Sequence, residues 1–473
     1  MLLIRYSEIG LKGRRARSEM ERLLLSNISL ALKKAVISHK FTREQGRIFL
    51  VSDNEEGSIA IVRRIFGVKS VSPVTEYGFS SLENLCEIAE REFSPIVAGK
   101  VFVVRSRRTG SHQFTSMDVD RLLGERLMKY ASGVSLKNPE ITVYVEVRER
   151  KAFLYSMVFP GPGGLPLGSE GRMVALVSGG IDSPVASWTM MKRGCQVDMV
   201  FLSLADPLDT NAFLRQAARL ISLYSSGYDP RIHIVNGSRL VTELTSGRFR
   251  YPNVAFKRIL YLLAERIALD EDAMGIITGE SLGQVSSQTP ENLMALNLGL
   301  KLPVYRPLIG MDKDDIVEIS RERGLMPESG LGEFCSLFSS NPALRVTSEQ
   351  LSSEPIDETL ILSLMGNIRT IRGSAIEQYL ESNKGEDMRA GDTKEGTVVV
   401  DLRKKEKYLG WHYPGSLSVQ LRDLDKFSET IDPGSQIVLY CSKGLQSAHA
   451  ASMLRKKGFN AFYTDEETMR KSV

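Results

Sequence analysis

The stretch that most constrains this chain is Met173-Val174-Ala175-Leu176-Val177, followed by Ser178-Gly179-Gly180-Ile181-Asp182-Ser183 and then a helical pattern over 185–192. An apolar strand with no polar interruption is buried on both faces, which is the condition of a strand inside a parallel sheet. Parallel strands need long crossovers, so comparable strands must recur downstream. They do, at 197–202, 231–235 and 275–278, with helical patterns between them. The expectation is a doubly wound α/β domain over 169–344. Its first turn can be read in two ways. Unpaired main-chain N–H groups and the helix dipole make a Gly-rich βα turn a phosphate cradle. It can equally be a tight connection with Asp182 or Ser183 as N-cap. It is not the G-x-x-x-x-G-K-[ST] loop, since no Lys follows the glycines, and Pro184 falls in the first helical turn, where its missing N–H does no harm.

A chain of 473 residues exceeds one core and argues for about three or four domains. Upstream, a strand at 2–6, a helix at 17–35, a strand at 47–51, a helix at 58–66 and a strand at 70–75 give a β-α-β-α-β order. That order suggests a ferredoxin-like unit over 1–75. A second α/β module over 76–168 follows, with helices at 82–93 and 118–131 and strands at 101–106, 141–147 and 152–159. It closes in the Gly/Pro cluster 161–168, which can continue neither helix nor strand. Residues 345–395 are less regular, and 382–396 is rich in charge, Gly and Ser, so this segment reads as a linker. A last compact α/β unit over 396–473 carries strands at 397–402, 436–440 and 461–463 and a helix at 446–456.

The charge is uneven. Residues 1–50 hold eleven Lys and Arg against four Glu, a face suited to polyanions. Cys86, Cys195, Cys335 and Cys441 are too few and too scattered for a disulfide framework or a Cys-x-x-Cys zinc site, and the five His show no metal spacing, so no metal ligand is assigned. The opening residues lack the apolar stretch of a signal peptide, and no run approaches a membrane span, which points to the cytosol and to no membrane partner. Cys86 and Cys195 sit in apolar contexts and read as packing residues. Cys335, in Gly332-Glu333-Phe334-Cys335-Ser336, reads as an accessible loop thiol. Cys441 follows an apolar strand and precedes Ser442-Lys443-Gly444-Leu445-Gln446-Ser447 and a helix, so main-chain donors at a helix N-terminus surround its sulfur and favour a thiolate or persulfide anion. His449 on that helix reads as a surface or capped residue and not as a base.

The hexapeptide 178–183 matches the S-G-G-x-D-S signature of the PP-loop pyrophosphatases, which split ATP between its α- and β-phosphates. Taken with Thr278-Gly279-Glu280-Ser281-Leu282-Gly283-Gln284-Val285-Ser286-Ser287-Gln288, the segment 161–168 and the opening Arg5-Tyr6-Ser7-Glu8-Ile9, it resembles the tRNA 4-thiouridine synthetase family over essentially the whole chain. Residues 60–165 look like that family's THUMP RNA-binding domain. Asp401-Leu402-Arg403, Tyr408, 410–416 and the loop from Cys441 to Gln446 resemble a rhodanese domain. Two departures stand out: Gln446 replaces the frequent Arg, which weakens anion attraction, and 464–468 lacks the usual Gly-Gly.

The resemblance implies that ATP is held by Leu176, Val177, Ser178, Gly179, Gly180, Asp182, Ser183, Phe201, Leu202, Lys257, Gly279 and Gln288, with Mg²⁺ near Asp182. Lys12, Arg14 and Arg15 on the basic N-terminal face and Arg105, Arg107 and Arg108 in the THUMP-like module would meet RNA phosphate. It further implies that persulfide sulfur on Cys441, loaded by a cysteine desulfurase, passes to C4 of the uridine at position eight of tRNA after adenylation. Cys335 would then close a disulfide with Cys441. A homodimer stays open, as do two other readings: a sulfur carrier for thiamine thiazole synthesis and a non-catalytic tRNA-binding protein.

Overall fold

The structure, a computed structural model, describes all residues except 7, 45, 205–206, 246, 328–341, 384–387, 391–395 and 443. The chain divides into two compact units, residues 1–169 with 192–194, and 170–191 with 195–473.

The first unit holds two sheets. β1 (Leu2–Tyr6), β2 (His39–Glu44), β3 (Arg47–Ser52) and β4 (Val68–Pro73) form an antiparallel sheet ordered β4-β1-β3-β2. The helix Arg14–Lys34 buries Leu24, Ile28 and Leu32 against Leu2, Ile4 and Leu50 of the sheet. The second sheet contains β5 (Thr75–Gly78), β6 (Val101–Thr109), β7 (Gly133–Val134), β8 (Ile141–Arg148) and β9 (Lys151–Tyr155), ordered β5-β9-β8-β6-β7. The helices Leu82–Val97 and Ser116–Leu127 contribute to its core.

Two features depart from the sequence reading. β2, His-Lys-Phe-Thr-Arg-Glu, was not expected; it is an edge strand whose alternate residues face water, so it has no apolar run to announce it. The strand expected over 152–159 is two strands in different sheets, β9 and β10 (Phe159–Pro160), and β10 pairs with β4. The Gly/Pro segment after it therefore packs along the first sheet. Gly161 N–H donates to the Lys69 carbonyl at 2.9 Å and Gly163 N–H to that of Val68 at 2.8 Å. A Cβ on Gly161 would overlap the Val68 carbonyl, so only glycine fits there.

One buried carboxylate joins the two sheets. Glu146 Oε1, from β8, accepts from Arg148 Nη2 at 2.8 Å and from Arg47 Nε of β3 at 3.0 Å. Arg5 of β1 lies with Nη2 3.7 Å from Glu146 Oε2, donates to Ser72 Oγ at 3.0 Å, and has its guanidinium 4.6 Å from the Tyr155 ring centroid. The opening motif's arginine is thus a structural residue at a module junction. Beside it, Phe49 stacks on Phe153 with centroids 4.6 Å apart. Burial works against the Glu146 charge, yet Arg47, Arg148 and Arg5 outweigh it and hold the carboxyl below its ordinary value.

The second unit contains a six-stranded sheet ordered β15-β14-β11-β12-β13-β16, from β11 (Arg172–Leu176), β12 (Gln196–Ser203), β13 (Arg231–Asn236), β14 (Ile276–Ile277), β15 (Val304–Tyr305) and β16 (Ile368–Arg372). β11 to β15 run parallel, and the chain reverses direction across the sheet between β11 and β14. The doubly wound expectation holds.

The linker expected over 345–395 does not: β16 adds antiparallel to β13, and the helices Ser348–Ser352, Glu358–Met365 and Ile376–Ser382 also fall within it. Long-range polar contacts fold this stretch, which is why its weak periodicity misled. Buried Glu354 accepts from the N–H groups of Arg250 and Tyr251, and buried Asn292 accepts from Val346 N–H at 2.9 Å and donates to the Ala343 carbonyl at 3.1 Å. A four-stranded parallel sheet completes the unit, with β17 (Val398–Asp401), β18 (Leu417–Ser418), β19 (Gln436–Cys441) and β20 (Asn460–Asp465) ordered β18-β17-β19-β20. Among the described residues, no helix is long and apolar enough to cross a membrane.

Removing Glu146 leaves buried arginines without a counter-charge, so Glu146→Ala should cost about 3–5 kcal/mol in urea unfolding at neutral pH. The sign with pH follows from the depressed carboxyl: the wild-type advantage is complete above roughly pH 5 and shrinks as pH falls through the folded-state value. A variant as stable as wild type at pH 7 would show that the junction does not depend on this charge.

Candidate functional site

A cavity of about 180 Å³ opens where β11, β12 and β14 end, at the point where strand order reverses. Leu176 and Val177 reach it from the end of β11, Phe201 and Leu202 from β12, and Gly279 from the loop after β14. Ser178, Gly180, Asp182 and Ser183 bring the turn, Gln288 the later motif, and Lys257 the helix Pro252–Asp270. Eleven of the twelve residues expected around a nucleotide therefore share one wall; Gly179 is buried in the turn and is not on it.

The turn is held from inside. Ser183 Oγ accepts from Ser178 N–H at 3.0 Å and donates to the Ser178 carbonyl at 3.1 Å, and Gln216 Nε2 donates to the Gly180 carbonyl at 3.3 Å. Gly279 packs against it so closely that an added Cβ would lie 2.7 Å from the Ser183 nitrogen and 2.8 Å from the Asp182 carbonyl carbon. Asp182, in the first turn of the helix Asp182–Lys192, accepts from Lys313 Nζ at 2.6 Å and Gln284 Nε2 at 3.0 Å. Lys313 arrives from far along the chain because Ser281 Oγ bonds the Met311 carbonyl at 2.6 Å and Leu282 N–H bonds that of Ile309. Among the described residues the side-chain oxygens of Gln284 and Gln288, both wall residues, are buried with no hydrogen-bond partner.

Next to Gly279, buried Glu280 accepts from Lys257 Nζ at 3.0 Å, Tyr261 OH at 2.5 Å, Thr278 Oγ1 at 3.0 Å and Arg306 Nε at 2.8 Å. Burial opposes the carboxylate, but Lys257 and Arg306 hold it well below the ordinary range; burial and Glu280 push the Tyr261 phenol up. Lys257 and Tyr261 are four residues apart on one helix and so share a face. Sequence reasoning missed Glu280, Tyr261, Arg306, Gln284 and Lys313. Glu280 adjoins Gly279 and Tyr261 follows Lys257 by one turn, so both could have been found locally; Lys313 and Arg306 had no local signal.

The second candidate centre is Cys441, at the end of β19 and buried. The helix Leu445–Lys456 begins just after it, with Gly444 at φ 82° as its N-cap. Ser447 Oγ lies 3.5 Å from the sulfur and within bonding distance of the Gly444 and Thr464 carbonyls. Behind the loop, Arg403 pairs with Asp401 and Glu466 at 2.6 and 2.8 Å and bonds the Trp411 carbonyl. Lys407 Nζ donates to Ser442 Oγ at 3.1 Å, so a cation stands beside the loop in which Gln446 replaces Arg. His449, expected at the surface or capped, is buried on the core side of that helix, and burial with nearby Lys456 pushes its imidazole down to about 4, neutral at physiological pH.

Cys335 lies outside the described residues, as does Ser7 of the opening motif. Cys86 and Cys195 are buried, and burial pushes the Cys86 thiol up to about 11. Lys12, Arg14, Arg15, Arg105 and Arg107 are exposed; Arg108 is half-buried and bonds the Gly110 carbonyl at 2.7 Å. Among the described residues no group of His, Cys, Asp and Glu could hold a metal ion.

Family models match along the chain in sequence: the ThiI ferredoxin-like domain at residues 1–72, the THUMP domain at 79–156, the thiamine biosynthesis protein (ThiI) model at 168–360 and the rhodanese-like domain at 385–466. The tRNA sulfurtransferase of Thermoplasma volcanium is 42% identical over 98% of this chain and 95% of its own, and that of Thermoplasma acidophilum 41% over 100% and 96%. Among solved structures, a 4-thiouridine synthetase in complex with RNA and bound ATP is similar with a TM-score of 0.65 and 29% identity, covering 78% of this chain and 98% of its own. With identity above 40% over nearly the whole of both chains, the chain belongs to the tRNA sulfurtransferase family.

Proposed function

We propose that this chain uses ATP to replace the C4 oxygen of a uridine in tRNA by sulfur, at position eight, through an adenylated uridine and a persulfide on Cys441. The observation that carries the reading is the single cavity into which the Ser178–Ser183 turn and the Thr278–Gln288 motif converge. Its walls suit a nucleotide. Strand ends and Phe201 supply flat apolar and main-chain surface, the turn offers N–H groups at a helix start, and the unpaired oxygens of Gln284 and Gln288 can accept from amino or hydroxyl groups. The RNA complex with bound ATP among the similar structures supports the same assignment.

The chemistry needs each part. The C4 oxygen is a poor leaving group until it carries an adenylyl group, after which AMP departs when sulfur attacks. Lys257 and Lys313 line the cavity and would offset phosphate charge as pyrophosphate leaves. Asp182 is the residue that would hold Mg²⁺, which supplies further charge neutralisation; its carboxylate is already met by Lys313 and Gln284, so the cation would share or displace those partners. Cys441 would carry the outer sulfur from a cysteine desulfurase at the end of β19, just before the helix Leu445–Lys456. Once the outer sulfur has displaced AMP and joined Cys441 to C4 through an S–S bond, Cys335 would attack Cys441 Sγ, releasing the sulfur on C4 and forming a Cys335–Cys441 disulfide that a thiol reductant reopens. Lys12, Arg14, Arg15, Arg105, Arg107 and Arg108 would meet tRNA phosphates. The thiamine biosynthesis description of the model matched at 168–360 supports a second reading, a sulfur carrier for thiazole synthesis, in which Cys441 of the rhodanese-like match would be the carrier.

Mass spectrometry of tRNA after incubation with ATP and a persulfide donor tests the proposal directly. Wild type should form 4-thiouridine, whereas Cys441→Ser should form none from that donor. Asp182→Ala should lower thiolation by about 10²-fold or more while tRNA affinity stays within about twofold; if tRNA binding collapsed with it, the turn would be structural only. Gly279→Ala, which forces a methyl against the turn, should raise the KM for ATP about tenfold and leave tRNA affinity unchanged. An unchanged KM would mean that the cavity is not the nucleotide site.

A further inference from the structure

Glu280 is almost wholly buried beside the cavity, and its two oxygens are treated differently. Oε2 receives three protein donors: Tyr261 OH, Arg306 Nε and Thr278 Oγ1. Arg306 is itself fixed, since its Nη2 bonds Asn297 Oδ1 at 2.8 Å and Tyr261 OH at 3.1 Å. Oε1 faces Lys257 Nζ at 3.0 Å. The carboxylate is therefore clamped from one side and holds a lysine on the other. A lysine stem has four rotatable bonds and many rotamers, so an ammonium in a cavity wall is a diffuse charge until something fixes it. A clamped carboxylate fixes it before any ligand arrives, and preorganised charge is the kind that favours binding in a set geometry.

We propose that Glu280 is a positioning residue of the nucleotide site, acting through Lys257: it sets where the ammonium stands, so that the ligand meets a charge already in place. The proposal rests on the reading of the cavity as the ATP site and adds to it the residue that makes Lys257 effective. Tyr261, Thr278 and Arg306 hold the carboxylate in place.

The test is a double-mutant cycle on the full-length enzyme, read as the KM and kcat for ATP in tRNA thiolation. Glu280→Gln keeps shape and removes charge; it should raise KM about tenfold and change kcat less than about threefold. In a Lys257→Met background the same change should alter KM by less than about twofold, because there is no ammonium left to place. Asn297→Ala, away from the cavity wall, removes only the outer contact of Arg306 and leaves both Glu280 oxygens and Lys257 paired, so its KM should stay within about twofold of wild type. Penalties that multiply in the double variant would overturn the proposal, as would an Asn297→Ala loss equal to that of Glu280→Gln, since either result marks the cluster as a folding device. If thermal melting shows Glu280→Gln unfolded, Glu280→Asp, which keeps the charge but withdraws it by one methylene, takes its place with the same expectations. A wild-type enzyme that consumes no ATP would overturn the nucleotide reading itself, and this is seen before any variant is compared.

Discussion

The second unit depends on a constraint of parallel sheets: every strand ends on the same edge, and where the chain reverses its direction of travel the loops on either side part and leave a crevice. Here that place is the gap between β11 and β14. The Ser178–Ser183 turn sits on one lip and the Thr278–Gln288 motif on the other, although a hundred residues separate them in sequence. Gly279 lets the lips touch, since anything larger would strike the main chain of Asp182 and Ser183. The close packing explains why the two motifs can act as one wall, with Gln284 reaching across to Asp182.

Buried carboxylates recur as organising centres. Glu146 ties strands of two sheets through Arg5, Arg47 and Arg148; Glu280 gathers Lys257 and Arg306; Asp401 holds Arg403 behind the Cys441 loop, with Glu466 as a second acceptor. Replacing such a group by an apolar one of equal volume need not destabilise a fold, but removing one partner alone leaves a stranded charge. What these pairs contribute is geometry, because a guanidinium fork bonded to a carboxylate fixes direction as well as distance. At Glu146 the geometry set is that of two modules, at Glu280 that of a cavity wall, and at Asp401 that of a strand end carrying a nucleophilic sulfur.

What the sequence disclosed and what it withheld follow from range. β11 and its turn were legible because five apolar residues and two glycines are local signals with few structural meanings. β2 and β16 were not: Ile368–Arg372 has only two apolar residues, Ile368 and Ile371, set three apart among Arg and Thr, and its place in the sheet comes from pairing with β13, which no local pattern encodes. The same holds for 342–346, bonded to Asn292 and Thr289 some fifty residues earlier. In the site, strand-end and turn residues were found by motif, whereas Lys313 and Arg306 come into place only through the 304–313 chain folding back. The family resemblance named Lys257 as a charge for phosphate; only the structure reveals that this charge is already engaged by a carboxylate.

Under the proposed reading, the burial of Cys441 also makes chemical sense. A thiol held at a strand end under a helix start is poorly exposed to casual oxidants. As a persulfide, however, the atom to be delivered lies one S–S bond, about 2.0 Å, farther out than Sγ. The outer sulfur can then project beyond a surface that covers the inner one, and it is this atom that meets the electrophilic C4. Its attack on C4 expels AMP and leaves a Cys441–S–S–C4 adduct, whose S–S bond a second thiol then breaks, with the sulfur on C4 as leaving group. Lys407, bonded to Ser442, adds positive charge on the exposed side, where a loop with Gln446 in place of Arg otherwise has less. A buried sulfur with a cation beside its loop thus suits a cysteine that must give up one sulfur and keep the other.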